Sequence, residues 1–445
     1  MSDLLTIGAS GARAAQSSLM TVSENIANSG VAGYSRRTAV AQEVTSGDIR
    51  GINGYGVRIT GVGRANDVFK SEAVRTASAD LSRTTTAARW LGDIQTALTG
   101  AEVNTRVTDF FNQATKLAAD PASTAQRTAM LESAKSVAGA FTATSNALAQ
   151  VTGDIDIQAD AETARLGTLA EGLAKVNDGL TRAQPGSASV AALLDQRDQL
   201  LEQMSGIADV SVRFDQFGRA TARMGGEAGP VLVKGTLAGS VGYSRNAQGT
   251  VTFVVNGTDD ATTPFTVSGG TLGGIADAAG KVAGARQTLD DTARAFADGV
   301  EATQATGVDL DLAAGGAIFA YDAQRPSQMS VAITDGRKIA AAAPLTGPRD
   351  GSNLAAFQTL RSSGNFEATL TGLVSDNAAA IENRNTVAAA QGAILDGATT
   401  ARDAATGVNL DNEAVDLLRF QQAYQASSRV IQAAKDIFQT ILEIR

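Results

Sequence analysis

Toward the C-terminus, apolar positions recur at alternating spacings of three and four. Leu417, Phe420, Tyr424, Ser427, Ile431, Ala434, Phe438 and Ile441 form a continuous stripe, the pattern of a helix packed along one seam. A second column, Ala423, Val430, Ile437 and Ile444, repeats every seventh residue and widens it. A stripe that wide needs more than one neighbour to cover it. Asp411, Asn412 and Glu413 fall in the first turn, where negative charge suits the helix dipole. No Gly or Pro follows Gly407, so the helix is expected to reach the end of the chain, about 50 Å at a rise of about 1.5 Å per residue. Residues 3–28 repeat the pattern with Leu5, Gly8, Ala12, Ala15, Leu19, Val22 and Ile26. Gly8 and Ala12 are small enough for close helix approach. The expected pairing joins the two ends of the chain, although the spacing does not separate a partner within the chain from one on another copy. Single helices of this length are marginal in water, so both ends are expected to be loose in a monomer and ordered in an oligomer.

Between these ends the period changes several times. Asn28-Ser29-Gly30 stops the first helix, with Gly30 a left-handed cap. Residues 38–65, with Val44, Ile49, Ile52, Val57, Ile59 and Val62 among glycines, read as short strands or an extended hairpin. Asn66-Asp67 caps a helix over about 67–98, and a second runs over about 104–119 to Asp120-Pro121. Ser123 caps a long successor reaching about 180, with interruptions allowed, and Pro185-Gly186 turns the chain into a helix over 189–207. From Ala208 the alternation is strand-like at Val210, Val212 and Phe214, at Val231 and Val233, and at Val251, Phe253 and Val255. Gly269-Gly270 and Gly273-Gly274 punctuate a return to helix over about 275–305. A strand is expected at Gln328–Thr334, helix over 353–400 and a linker over 401–408. The predicted fold is mainly α with a small β-rich insertion, drawn out as a multidomain rod. A terminal coiled-coil domain with its connector takes 1–65 and 401–445. A helical-bundle body takes 66–208, 269–305 and 353–400. A β-rich outer unit takes 209–268 and 306–352.

Composition closes off much chemistry. The 445 residues allow about two to four domains, and with aromatics at 4% the cores are expected to be thin. There is no cysteine and no histidine. Disulfides, thiolate catalysis, imidazole acid–base chemistry and Cys- or His-bound metals are therefore excluded. A net charge of -9 disfavours nucleic acid and anionic membrane, and no apolar run is long enough to span a bilayer. The N-terminus has no basic region ahead of a continuous apolar one, so it is not read as a secretory signal.

Several tempting motifs weaken on inspection. Gly51, Gly54 and Gly56 match neither phosphate-loop spacing and read as turn glycines. Asp154, Asp156 and Asp160 mimic a calcium loop, but Ala159 stands where its glycine belongs and Arg165 where its bidentate glutamate belongs; a solvated helix face is the simpler reading. Arg36-Arg37 reads as a solvated or interface pair rather than an anion site. Trp90 falls in a helical apolar pattern and is assigned to the core. Asn25, Asn28 and Tyr34 form a polar cap against neighbouring subunits, or else Asn28 and Gly30 merely end a helix. No cofactor is implied.

Local motifs point the same way as the nesting. Ser23-Glu24-Asn25-Ile26-Ala27-Asn28 is followed by Gly33-Tyr34-Ser35-Arg36, and the C-terminal part carries Gly407-Val408-Asn409-Leu410-Asp411 through Glu413-Ala414 and then Phe420-Gln421-Gln422-Ala423-Tyr424-Gln425-Ala426. These resemble the axial proteins of the bacterial flagellum, and Gly-Tyr-Ser-Arg resembles the hook-associated protein 1 family of the hook–filament junction. Leu194-Asp195-Gln196-Arg197-Asp198-Gln199-Leu200-Leu201, Gly269-Gly270-Thr271-Leu272-Gly273 and Gly307-Val308-Asp309-Leu310 agree. The β unit is short for this family, so an outermost domain is expected to be reduced or missing.

The resemblance implies a structural subunit, not an enzyme, at the hook–filament junction. It implies self-association in a helical ring, contact with the hook protein and with a neighbouring hook-associated protein on the filament side, and an export chaperone on the C-terminal helix. It also implies an extracellular place after type III export without a cleaved signal. The assembly interface is expected at Leu5, Ala12, Leu19, Val22, Ile26, Asn28, Tyr34, Leu417, Phe420, Tyr424, Ile431, Phe438 and Ile441. Two alternatives remain: another hook, rod or hook-associated subunit, or an extracellular hydrolase using two carboxylates about 5–10 Å apart, for which no motif nominates a pair.

Overall fold

The longest element explains much of the rest. Thr124–Arg182 is one α-helix of 59 residues, about 90 Å long. No proline lies within it, and its buried positions, among them Met130, Ala134, Val137, Phe141 and Leu148, step by three and four. Ser123 Oγ caps it by accepting from Gln126 N at 3.3 Å. The interruptions allowed from sequence are not needed. Ser123→Ala is expected to lower stability by about 1 kcal/mol, read as a shift in the urea midpoint without a change in slope.

The computed structural model describes residues 2–44, 56–247, 249–259 and 261–443. Ile49, Ile52, Gly51, Gly54 and Ile444 lie outside them, as does the side chain of Ile441. The elements are α1 (Ser2–Asn28), β1 (Arg37–Val44), β2 (Gly56–Arg64), α2 (Val68–Thr99), α3 (Val103–Ala119), α4 (Thr124–Arg182) and α5 (Ala188–Ile207). Next come β3 (Val210–Phe214), β4 (Ala220–Met224), β5 (Val231–Lys234), β6 (Leu237–Ala238), β7 (Ser240–Arg245), β8 (Val251–Asn256) and β9 (Thr262–Phe265). The chain then forms α6 (Gly270–Ala305), β10 (Phe319–Asp322), β11 (Arg325–Val331), α7 (Ser352–Gly364), α8 (Phe366–Thr406) and α9 (Leu410–Glu443). The mainly helical, elongated reading holds.

Three expectations are corrected. The helix expected over 353–400 is two helices, divided at Asn365, which adopts a left-handed φ of 50°. The expected linker 401–408 is mostly the end of α8, so only Gly407–Asn409 separates it from α9. Gly273 and Gly274 do not break the return to helix; they lie inside α6, because a Cβ on Gly274 would stand 2.6 Å from the Arg83 carbonyl oxygen of α2. The two helices touch there through backbone.

The core is not uniformly thin either. Seven of the fourteen phenylalanines, Phe110, Phe111, Phe141, Phe296, Phe319, Phe357 and Phe366, meet in one cluster of edge-to-face, tilted and stacked pairs, with Phe110 and Phe296 5.3 Å apart. It ties α3, α4, α6, α7, α8 and β10 together. Trp90 is buried in the body as expected, and its indole N–H donates to Gln158 at 2.9 Å. Along α2 and α8, Asn377 donates to the Leu91 carbonyl at 2.9 Å and to Gln95 at 2.8 Å.

The β unit makes a four-stranded sheet ordered β3-β4-β5-β6 and a three-stranded sheet ordered β7-β8-β9. Buried Asn177 of α4 pins the first by donating to the Ala220 and Gly235 carbonyls and accepting from Ala220 N. Asp156 pins the second, bonded by Tyr243 and Arg245. Asp156 is thus an anchor rather than part of a solvated face, and burial, together with the hydrogen bond to Asp156, pushes the Tyr243 phenol up.

Candidate assembly site at the terminal helix pair

The two ends of the chain lie side by side and antiparallel. Gly8 faces Ile431, Gly11 faces Ser427, and Asn25 meets Glu413. The small residues set the spacing: a Cβ on Gly8 would stand 2.9 Å from Ile431 Cγ1 and 3.3 Å from Ile431 N. Gly8→Val forces the helices apart and is expected to weaken the pair by about 2 kcal/mol, seen as faster amide exchange along both helices.

The pair closes only part of its own stripe. Val22 and Ala15 are buried, whereas Ala12, Leu19, Leu417, Phe420 and Ile431 are half-buried. Leu5, Ile26, Tyr424 and Phe438 are exposed, the last at 55%. Leu4, Ile7 and Met20 of α1 and Val415, Leu418, Val430 and Ile437 of α9 extend the exposed apolar surface. An apolar surface this long is characteristic of a binding face.

At the other end of the pair the contacts become polar and buried. Asn25 and Glu413 are both fully buried. The Asn25 amide donates to Glu413 Oε2 at 2.9 Å and to the Arg37 carbonyl at 2.8 Å. Its oxygen accepts from Arg37 N and from the Tyr34 hydroxyl, each at 3.0 Å. Arg36 donates to Glu413 Oε1 at 2.5 Å and to Asp416 at 3.0 Å. Burial pushes the Tyr34 phenol above its ordinary range.

The same segment grips the body. Arg37 and Arg64, paired across the β1–β2 hairpin, both bond Asp195, at 3.2 and 2.6 Å, and Arg64 also bonds Asp198 at 2.7 Å. Gln199 donates to the Ala32 carbonyl at 2.7 Å. On the far side Arg402 of α8 reaches Glu202 of α5 at 3.0 Å. The two motifs around Tyr34 and around Asp195 are therefore the halves of one junction. Arg36 and Arg37 engage carboxylates of their own chain, not a free anion. Asn25 and the Tyr34 hydroxyl bond each other within the chain, and Asn28 donates to the Glu24 carbonyl at the end of α1. Sequence reasoning missed Glu413, Asp416, Asp195 and Arg64 as partners. Glu413 stood out as a first-turn acid and within the Gly407–Ala414 motif, but its partner Arg36 is 377 residues away.

Among the described residues, no group of three or more acidic side chains is placed to hold a metal ion, and no helix is long and apolar enough to cross a membrane.

Comparison with known proteins is consistent along the chain. The sequence is 26% identical over 549 aligned residues to flagellar hook-associated protein 1 of Escherichia coli strain K12, covering all of both chains. The alignment is longer than this chain, so that relative carries segments absent here. The protein of the same name from Salmonella typhimurium is 30% identical over 322 residues, covering 70% of this chain and 58% of the relative. The solved hook junction protein FlgK of Burkholderia pseudomallei shares the fold with a TM-score of 0.68 at 15% identity, over 74% of this chain and 99% of that one. Residues 403–444 match the C-terminal family of flagellar basal body rod FlgEFG proteins. Residues 91–319, more than half of the chain, match the helical domain of flagellar hook-associated protein FlgK, and the chain belongs to that family of structural flagellar proteins.

Proposed function

We propose that this chain is the structural subunit that joins hook to filament, assembling with copies of itself through the terminal helix pair. The observation that carries the reading is the apolar stripe that α1 and α9 leave uncovered on each other. In an axial assembly the partners for that stripe are sister copies, with the hook protein below and another hook-associated protein above. Residues 1–65 and 401–445 act as the assembly domain and 66–208, 269–305 and 353–400 as the rigid body; 209–268 acts as the outward-facing unit, whereas 306–352, expected with it, packs on the body through Phe319 and Met329. The same stripe makes the unassembled chain prone to aggregate, which supports a temporary cover on α9 by an export chaperone before passage through the flagellar type III apparatus. The absence of cysteine suits a chain that is threaded unfolded.

A strain deleted for this protein tests the reading by electron microscopy. Hooks are expected, filaments absent and flagellin shed into the medium. Filaments on a normal fraction of hooks would remove the proposal. Locating the protein in purified hook–basal bodies separates the junction role from that of a hook or rod subunit.

A further inference from the structure

Arg75 of α2 faces a cavity of about 460 Å³ between loop 29–35, α2, α5 and the end of α8. It is only 8% exposed, and among the described residues its guanidinium has no hydrogen-bond or ion-pair partner. The other arginines on the cavity wall are committed, Arg64 to Asp195 and Asp198 and Arg402 to Glu202 and Asp403. The acids whose fields reach Arg75 are Asp198, Glu72 and Glu202; the first and last already accept from those arginines.

A guanidinium cannot shed its proton near neutral pH, and since the Arg75 nitrogens open onto the cavity rather than into packed protein, it presents uncommitted N–H donors to an anionic or strongly polar ligand. Ser35, 7% exposed, lines the same cavity, and its hydroxyl makes no hydrogen bond among the described residues. A planar fork of N–H donors and a free hydroxyl on the wall of one cavity match a carboxylate. The acids already on the wall weigh against a doubly charged phosphate.

We propose that this cavity is a carboxylate-binding site, anchored by Arg75 with Ser35 as a second donor. The carboxylate comes either from a free small molecule or from an acidic side chain of a second copy of the chain. The site does not depend on the assembly role, and binding by the isolated chain can fail while filament attachment stands.

The test is NMR of the full chain labelled with ¹⁵N-arginine, titrated with sodium propionate against sodium chloride at equal ionic strength. One Nε–H signal is expected to move saturably and to vanish in Arg75→Met. Arg75→Lys, which keeps the charge and loses the fork, and Ser35→Ala are each expected to bind about tenfold more weakly. No saturable movement, or the same movement in Arg75→Met, means a merely hydrated guanidinium and overturns the proposal. Should Arg75→Met lose its helical circular dichroism, Ser35→Ala decides, and an unchanged propionate affinity overturns it. With binding established, raising the protein concentration without propionate separates the sources. A shift reversed by propionate assigns a neighbour's acidic side chain, and a flat response assigns a free carboxylate.

Discussion

A chain lacking residues 411–445 is expected to keep its body folded and to restore no swimming to a strain without the full-length protein. The hydrophobic core runs from Trp90 to Leu370 and includes no residue of α1 or α9. Thermal unfolding of the truncated chain should therefore stay within about 2–4 °C of the full chain, the shift that about 1 kcal/mol produces in a domain of moderate size. Loss of α9 removes half of the exposed stripe and leaves the other half, on α1, without its antiparallel neighbour. Removing residues 1–28 is expected to act alike. Swimming halos in soft agar and filament counts per hook are the measurements. Wild-type filament numbers from either truncation would mean that the terminal helices are not the assembly element.

Glu413→Leu is the single substitution expected to do most damage. It leaves the Asn25 amide with one acceptor instead of two and takes from Arg36 its closest carboxylate. Arg36 is a third exposed and keeps Asp416, so the cost comes mainly from the buried Asn25 amide left with an unsatisfied donor, about 1–3 kcal/mol. Protection of the amides over 413–420 should fall by about tenfold or more. Glu413→Gln keeps the shape and the Asn25 contact and is expected to lose less. Equal effects from the two variants would show that the charge on Glu413 does not matter.

The fold was legible from sequence where the determinants are local. The caps at Asp67 and Ser123, the unbroken period of α4 and the proline–glycine turn before α5 each depend on a few adjacent residues. Asn365 was not legible, because left-handed asparagine in mid-pattern leaves the apolar spacing on either side intact. Gly273 and Gly274 misled because their reason is a close approach to a helix far away in the chain. The candidate site divides in the same way. Its apolar seam could be read from the three-four spacing, and Val22 sits buried in it. Its polar end could not, because Asn25, Arg36, Asp195 and Glu413 are scattered along the chain and none belongs to a spacing rule. The expectation of loose ends in a monomer also becomes uneven. By this geometry it fits the exposed outer halves around Leu5 and Phe438 better than the hub around Asn25.

Torque applied to the terminal helices reaches the body along few routes. Among the described residues the chain crosses between them at 29–36, at 65–67 and at Gly407–Asn409, and the rest of the connection combines guanidinium–carboxylate pins at Asp195, Asp198 and Glu413 with hydrogen bonds from Gln199 to the Ala32 carbonyl and from Val62 N to the Gly186 carbonyl. Such pins resist shear in directions that bare backbone does not. The pins on Asp195 and Glu413 are sheltered, so brine screens them weakly. These pins are therefore expected to hold the joint alike in seawater and in fresh water.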